Sequence, residues 1–250
     1  MVVQVMLNQD KVRQIEEYYA QCELEGANEH QVEESQKAVA KMEVIIGDPD
    51  RLRAVAEDFI KHYETRVAEG ATVAGKAMFV CSNRNIAYDF YKIVKELRPK
   101  WTEKKICDDG VVLSEKDKKE LKPMEKIKLV MTRNKDDEKD LFDMLGTKED
   151  RKEFDRQFKN PKSNFKIAIV VDMWLTGFDV PELDTIYIDK PIQQHTLIQT
   201  ISRVNRVCEG KDKGLIVDYI GIKKNMNTAL KKYTNFESEE FEGVEQSSRL

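Results

Sequence analysis

Apolar residues along this chain follow two different periods, and the change from one to the other divides it. From Gln9 to about Val67 the sequence is charged and its apolar positions recur at helical spacing, with Leu52, Val55, Ala56, Phe59, Ile60 and Tyr63 on one face. Asp48-Pro49-Asp50 offers a cap and a first-turn proline for a helix over residues 51–66. Residues 1–70 therefore read as a helical arm ending in a linker, Glu69-Gly70-Ala71-Thr72.

Beyond the linker, short apolar runs alternate with amphipathic stretches. This predicts an α/β fold with a mostly parallel sheet flanked by helices. The expected strands are residues 77–81, 127–132, 167–172, 185–188 and 215–217, and the expected helices 86–97, 138–145, 148–159, 194–207 and 222–233. Residues 102–123 are charge-rich and read as a mobile insertion, and residues 237–250 as an acidic frayed end. Three parts result: the arm, an α/β domain over 71–221, and a C-terminal helix with an acidic tail over 222–250.

Composition excludes several classes. With 40% apolar residues in 250 the chain can build a core, but its longest apolar runs fall far short of the roughly 18 residues of a membrane span. Met1-Val-Val-Gln-Val lacks the basic and apolar segments of a secretory signal, so a cytoplasmic protein without membrane partners is expected. Cys22, Cys81, Cys107 and Cys208 are scattered, as are His30, His62 and His195, so neither a disulfide framework nor a metal site is expected. The net charge of −4 means that any nucleic-acid contact must come from a local surface.

Two stretches imitate nucleotide-binding motifs. Gly70-Ala-Thr-Val-Ala-Gly75-Lys76 satisfies seven positions of a P-loop, but Ala77 stands where a hydroxyl should hold magnesium, and the run precedes a strand instead of following one. It reads as a flexible linker. Asp136-Asp137-Glu138-Lys139-Asp140 resembles a Walker B box, yet it lies beyond its strand and reads better as a carboxylate-rich helix N-terminus.

The informative stretch runs from Ile167 to Tyr219. Thr176-Gly177-Phe178-Asp179-Val180-Pro181 places a Gly-x-Asp turn past a buried strand, at the end where ligands of parallel sheets bind. Gly177 would let a ligand approach the backbone, and Asp179 could accept a ribose hydroxyl or orient an arginine; the turn could equally be structural. In Gln199-Thr-Ile-Ser-Arg203-Val-Asn-Arg206, residues Gln199, Arg203 and Arg206 fall within a helical arc of about 60°, with Leu197, Ile201 and Val204 nearly opposite. Such a face is either a fork of guanidiniums aimed at an anion or a solvated basic stripe. Asn83-Arg84-Asn85 opens a helix and is either a phosphate site or an ordinary cap, and Trp101 and Trp174 read as packing residues.

These residues carry a resemblance. Thr176-Gly-Phe-Asp179-Val-Pro resembles motif V, and Gln199-x-x-Ser-Arg203-x-x-Arg206 resembles motif VI, of the superfamily 2 helicases and translocases. The fuller run Asp172–Pro191, continuing through His195, Leu197, Ile198, Gln199 and Arg203 to Gly214-Leu-Ile-Val-Asp218-Tyr, is similar to the R subunit of type I restriction enzymes, with Phe79-Val-Cys-Ser82 in the place of motif IV. The resemblance implies a RecA-like fold and the second of two motor domains in an ATP-driven double-stranded DNA translocase. Arg203 and Arg206 would be arginine fingers, and Gly177, Asp179 and Gln199 would face the nucleotide. Ser82, Arg84, Thr132 and Thr176, near strand ends, are candidates for DNA phosphate contacts.

ATP and Mg²⁺ would be held mainly by the first motor domain, which this chain lacks together with the nuclease domain. Implied partners are those two domains of the same subunit, the modification and specificity subunits, and duplex DNA gripped without regard to sequence. The isolated chain is expected to be inactive. Alternatives are the C-terminal motor domain of another superfamily 2 helicase or remodeller, and a non-catalytic nucleotide- or partner-binding module.

Overall fold

A computed structural model describes residues 3–4, 42–175, 177–192, 199–200, 204, 206, 208–211 and 214–220. Its elements in chain order are β1 (Val3–Gln4), α1 (Pro49–Ala68), β2 (Lys76–Cys81), α2 (Arg84–Leu97), α3 (Glu115–Glu120), β3 (Ile127–Val130), α4 (Lys139–Leu145), α5 (Lys148–Lys159), β4 (Ile167–Val170), β5 (Leu183–Asp189) and β6 (Leu215–Asp218). The strands form one sheet in the order β1-β6-β5-β2-β4-β3, and every pairing is parallel. This is the expected α/β class. Most of the arm, the helix expected over 222–233 and the acidic end lie outside the described residues.

Every residue of β2 to β6 is buried, because helices cover both faces of the sheet. Side chains alternate between the faces. On one face Phe79 of β2 lies in register with Tyr187 of β5. Phe59 of α1 packs edge-on against both rings, at 5.2 and 4.8 Å, and Phe90 of α2 stacks on Phe79 at 3.9 Å. The opposite face presents Lys76 and Lys128 to α5, where their ammonium groups lie 5.1 Å over Phe158 and 4.6 Å over Phe154.

The helix expected over 51–66 spans Pro49–Ala68, with the Asp48 carboxylate accepting from the Arg51 amide at 3.0 Å. It packs into the sheet's own core through Leu52, Val55, Ala56, Phe59, Ile60 and Tyr63, the face its periodicity marks as apolar. Polar bonds fix its position along the sheet. At one end Arg51 Nη1 donates to Asp189 Oδ2 (3.0 Å) and to the Ile46 carbonyl (2.9 Å), while Nη2 pairs with Asp189 Oδ1 and reaches the Tyr219 carbonyl at 3.4 Å. Further along, the Tyr219 hydroxyl donates to Asp58 at 3.0 Å, and His62 Nδ1 lies 2.8 Å from the Tyr187 hydroxyl. At the far end the Tyr63 hydroxyl donates to the Gly75 carbonyl at 2.9 Å. The helix therefore runs from the carboxyl ends of the strands to their amino ends.

The charge-rich stretch 102–123 is pinned at several points. Lys105 and Met124 exchange backbone bonds of 3.0 and 2.9 Å, and the Asn164 amide donates to the Ile106 carbonyl at 3.1 Å. Ser114 and Asp117 close a capping box on α3. Lys162, at 2.6 Å, and Ser114 hold the Asp117 carboxyl down at about 2.

Removing one partner of the Arg51–Asp189 pair strands a charge away from water, since both side chains are at most 2% exposed. Arg51→Met is expected to lower unfolding free energy by roughly 3–5 kcal/mol, and Arg51→Met with Asp189→Leu to recover much of that loss. Chemical denaturation of the three proteins measures both effects.

Candidate functional site

An all-parallel sheet gathers the carboxyl ends of its strands along one edge. From β2 the chain crosses toward β3, whereas from β5 it proceeds to β6 on the other side, so the topological switch point falls between the ends of β2 and β5. Ser82, just past β2, donates its hydroxyl to the Asp189 carbonyl at the end of β5, at 2.8 Å. Asn83 caps α2 by accepting from the Ile86 amide at 3.0 Å, so this helix start carries an ordinary cap.

Arg84 follows. Its Nη1 donates to the Thr132 carbonyl at 2.7 Å, and Nη2 to both oxygens of Asp137 at 2.5 and 2.6 Å. Asp137 also accepts from the Asn134 amide at 2.6 Å. The acidic run that imitates a Walker B box thus supplies the counter-ion of Arg84. The structure brings Ser82, Arg84 and Thr132 to the same edge, and Thr132 is exposed there.

Beyond β4 the chain enters the Gly-x-Asp turn. Lys190 reaches across the end of β2, its ammonium donating to the Val171 carbonyl at 3.1 Å and to Asp172 at 2.5 Å. Trp174 has φ 69°, a left-handed conformation rare for a bulky residue and costing about 1–3 kcal/mol. Gly177 has φ 70°, and open space surrounds the position a Cβ would take. Asp179 accepts from Arg206 Nη1 at 2.8 Å, with both side chains about half exposed. Of the two roles open to Asp179, orienting an arginine is the one seen. An exposed pair of this kind is worth at most about 1 kcal/mol of stability, so its value lies in direction.

Helical residues are described at Gln199, Thr200 and Val204. Val204 is buried and Gln199 half-buried, whereas Arg206 is exposed and not helical, so the helix expected over 194–207 stops short of it. Arg203 and Thr176 lie outside the described residues. Trp101 and Trp174 are buried, in keeping with packing roles.

The sequence reading gave no structural role to three residues around this site, although Lys190 and Gly214 lie in the run that carries the resemblance. Arg51 and Lys190 are the first two, and each joins strand ends across the sheet. The third is Gly214: a Cβ there would sit 2.1 Å from the Val204 carbonyl oxygen, so only glycine lets β6 begin against that backbone. Lys211 adds a tie below the turn, donating to the Pro181 and Leu183 carbonyls at 2.8 Å each, and burial lowers its pKa.

Lys76, the lysine of the imitation P-loop, is 1% exposed and donates to the Phe165 carbonyl at 2.6 Å. Burial, with Lys166 nearby, pushes its amine well below the ordinary lysine range. Its ammonium is buried and already bonded to a main-chain carbonyl, so it is not presented to a phosphate. Among the described residues no group of three or more His, Cys, Asp or Glu could hold a metal ion, and no helix is long and apolar enough to cross a membrane. Among the described residues, these groups do not make up a complete nucleotide site.

Fold and site together define an α/β domain with an all-parallel sheet in which a turn carboxylate holds an exposed arginine. Residues 73–221 match the family described as type I restriction enzyme subunit R domain 3, and the chain belongs to that family. It is 37% identical over 206 residues to the type I restriction enzyme HindI endonuclease subunit of Haemophilus influenzae, covering 81% of this chain. It is also 39% identical over 211 residues, 84% of this chain, to a Methanocaldococcus jannaschii protein named as the MjaIXP endonuclease subunit. The chain spans 18% of the length of each of these relatives. Among solved structures, a chain described as an HsdR-subunit fragment from Vibrio vulnificus YJ016 matches 70% of this chain and 29% of its own length, at 16% identity and a TM-score of 0.47.

Gly214→Ala should force the Val204 backbone away from the start of β6. We expect a loss of roughly 1–3 kcal/mol in a thermal or chemical melt. An unchanged melt would show that the two segments approach less closely.

Proposed function

We propose that this chain is the second, RecA-like motor domain of a type I restriction enzyme R subunit, one half of an ATP-dependent double-stranded DNA translocase that supports cleavage. Family membership supports the reading, and the observation that carries it is exposed Arg206 held by Asp179 in the turn that precedes β5, with Val204 buried. ATP, bound with Mg²⁺ mainly by the first motor domain of the same subunit, supplies the energy of phosphoryl transfer. Lys76, buried and bonded to the Phe165 carbonyl, is consistent with the phosphate cradle lying elsewhere.

In this reading Arg203 and Arg206 are the fingers, presenting guanidiniums to charge that develops on a phosphoryl group. Asp179 orients Arg206 until the domains close. Gly177 leaves the turn open to close approach, and Gln199 orders the same interface. Ser82, Arg84, Thr132 and Thr176 serve as sequence-independent contacts to DNA phosphates. Asp137 neutralises Arg84, so the fragment alone should bind duplex weakly and lose that binding steeply with salt. Sequence recognition and methylation fall to the specificity and modification subunits, and the complex works in the cytoplasm.

The test is steady-state ATP hydrolysis with duplex DNA by the full-length subunit, the isolated chain serving as a control expected to show no turnover. Arg203→Ala or Arg206→Ala should each remove DNA-stimulated hydrolysis, by roughly 10³-fold or more, while the melt of this domain shifts by less than about 0.5 kcal/mol. Arg→Lys should rescue poorly because a point charge does not reproduce the planar fork. Near-normal turnover in both alanine variants, or robust hydrolysis by the isolated chain, would overturn the reading.

A further inference from the structure

Trp174 is the only non-glycine residue with positive φ among those described. A side chain of this size in left-handed backbone needs surroundings that hold it there. Its ring lies parallel to that of Phe178, at 4.0 Å between centroids and 2° between planes. The two residues are four apart in sequence, so the stack clasps the turn onto itself.

The clasp is anchored from below. Phe158 of α5 lies 5.3 Å from Trp174 and 6.0 Å from Phe178, Phe165 lies 6.4 Å from Trp174, and the Lys159 ammonium sits 4.9 Å over Phe178. The turn thus has a buried aromatic half, Trp174 and Phe178, and an exposed half, Gly177 and Asp179. The exposed half carries the carboxylate that holds Arg206.

We propose that Trp174 is a positioning residue: its ring, stacked on Phe178, holds the Gly177–Asp179 turn in the shape that aims Arg206, and so sets the rate of the ATP-consuming step. This rests on the function proposed above. It also separates ring from backbone, because glycine at 174 suits the left-handed φ yet removes the stack. If the backbone alone matters, glycine is neutral or better. If the stack positions the turn, glycine fails.

The experiment is DNA-stimulated ATP hydrolysis by the full-length subunit, with kcat and KM separated and a melt recorded for each variant. Trp174→Gly should lower kcat by about tenfold or more with little change in the KM for ATP, since aim matters to the transition state and not to nucleotide capture. Trp174→Phe, which keeps a stacking ring, should stay within about twofold of wild type. Phe178→Leu removes the stack from the other side without touching the Trp174 backbone and should reproduce the kcat loss. It decides the matter should Trp174→Gly not fold.

Wild-type kcat in Phe178→Leu, or in folded Trp174→Gly, would overturn the inference, as would a Trp174→Phe variant as impaired as the glycine one. Arg206→Ala run in parallel tells the two proposals apart. If it keeps its turnover, the functional reading fails. If it loses turnover while both stack variants match wild type, only the stack inference fails.

Discussion

The guanidinium of Arg51 and the carboxylate of Asp189 meet where neither reaches water, and the arrangement of the sheet's working edge depends on that meeting. Burying either group alone would cost several kcal/mol, so the pair persists only with its hydrogen bonds nearly complete. Carbonyls of Ile46 and Tyr219 take remaining donors, leaving Arg51 Nε as the one atom of the fork without a partner. One side chain of α1 thereby ties together the helical residues before it, the end of β5 and the exit of β6. Asp189 is followed at once by Lys190, which straps the end of β5 to the exit of β4 across the end of β2.

The consequence is an edge whose parts are set before any ligand arrives. Arg51 fixes β5 and β6, Lys190 fixes β4 relative to β5, and the Ser82 hydroxyl closes β2 onto the Asp189 carbonyl. On this frame the Trp174–Phe178 stack shapes the turn, and Gly214 admits the backbone at Val204 close beneath β6. Gly177, Asp179 and Arg206 stay exposed. In the proposed function, preorganised charge at Asp179 and Arg206 suits a group acting on a transition state in a neighbouring domain.

Much of this fold was legible in the sequence because a sheet covered on both faces needs apolar strands. β2, β4 and β6 emerged within two residues of their observed ends. β5 begins two residues earlier than its apolar run, since Asp184 is buried there with its carboxylate accepting from the Val73 amide at 3.1 Å. The Thr147-x-x-Asp150 capping box likewise fits the start of α5 at Lys148. Arg51 was not legible: a charge between apolar positions reads as solvent-facing, and its partner lies 138 residues away. Charge also misled over 102–123, where ion pairs and backbone bonds pin a stretch whose composition suggests mobility. Lys76 shows the converse, a motif matched at seven positions and placed at the wrong end of its strand. Asp179 and Arg206, 27 residues apart, were singled out separately by turn chemistry and helix-face arithmetic, and the structure brings them to 2.8 Å.

The central claim is that Asp179 and Arg206 act in turnover as one unit, the carboxylate working through the arginine it holds. A double-mutant cycle on DNA-stimulated ATP hydrolysis by the full-length subunit tests this directly, with Asp179→Asn, Arg206→Ala and the double variant compared with wild type. The account predicts a double variant no slower than Arg206→Ala alone. Losses that multiply, as for two independent contributions, would contradict it.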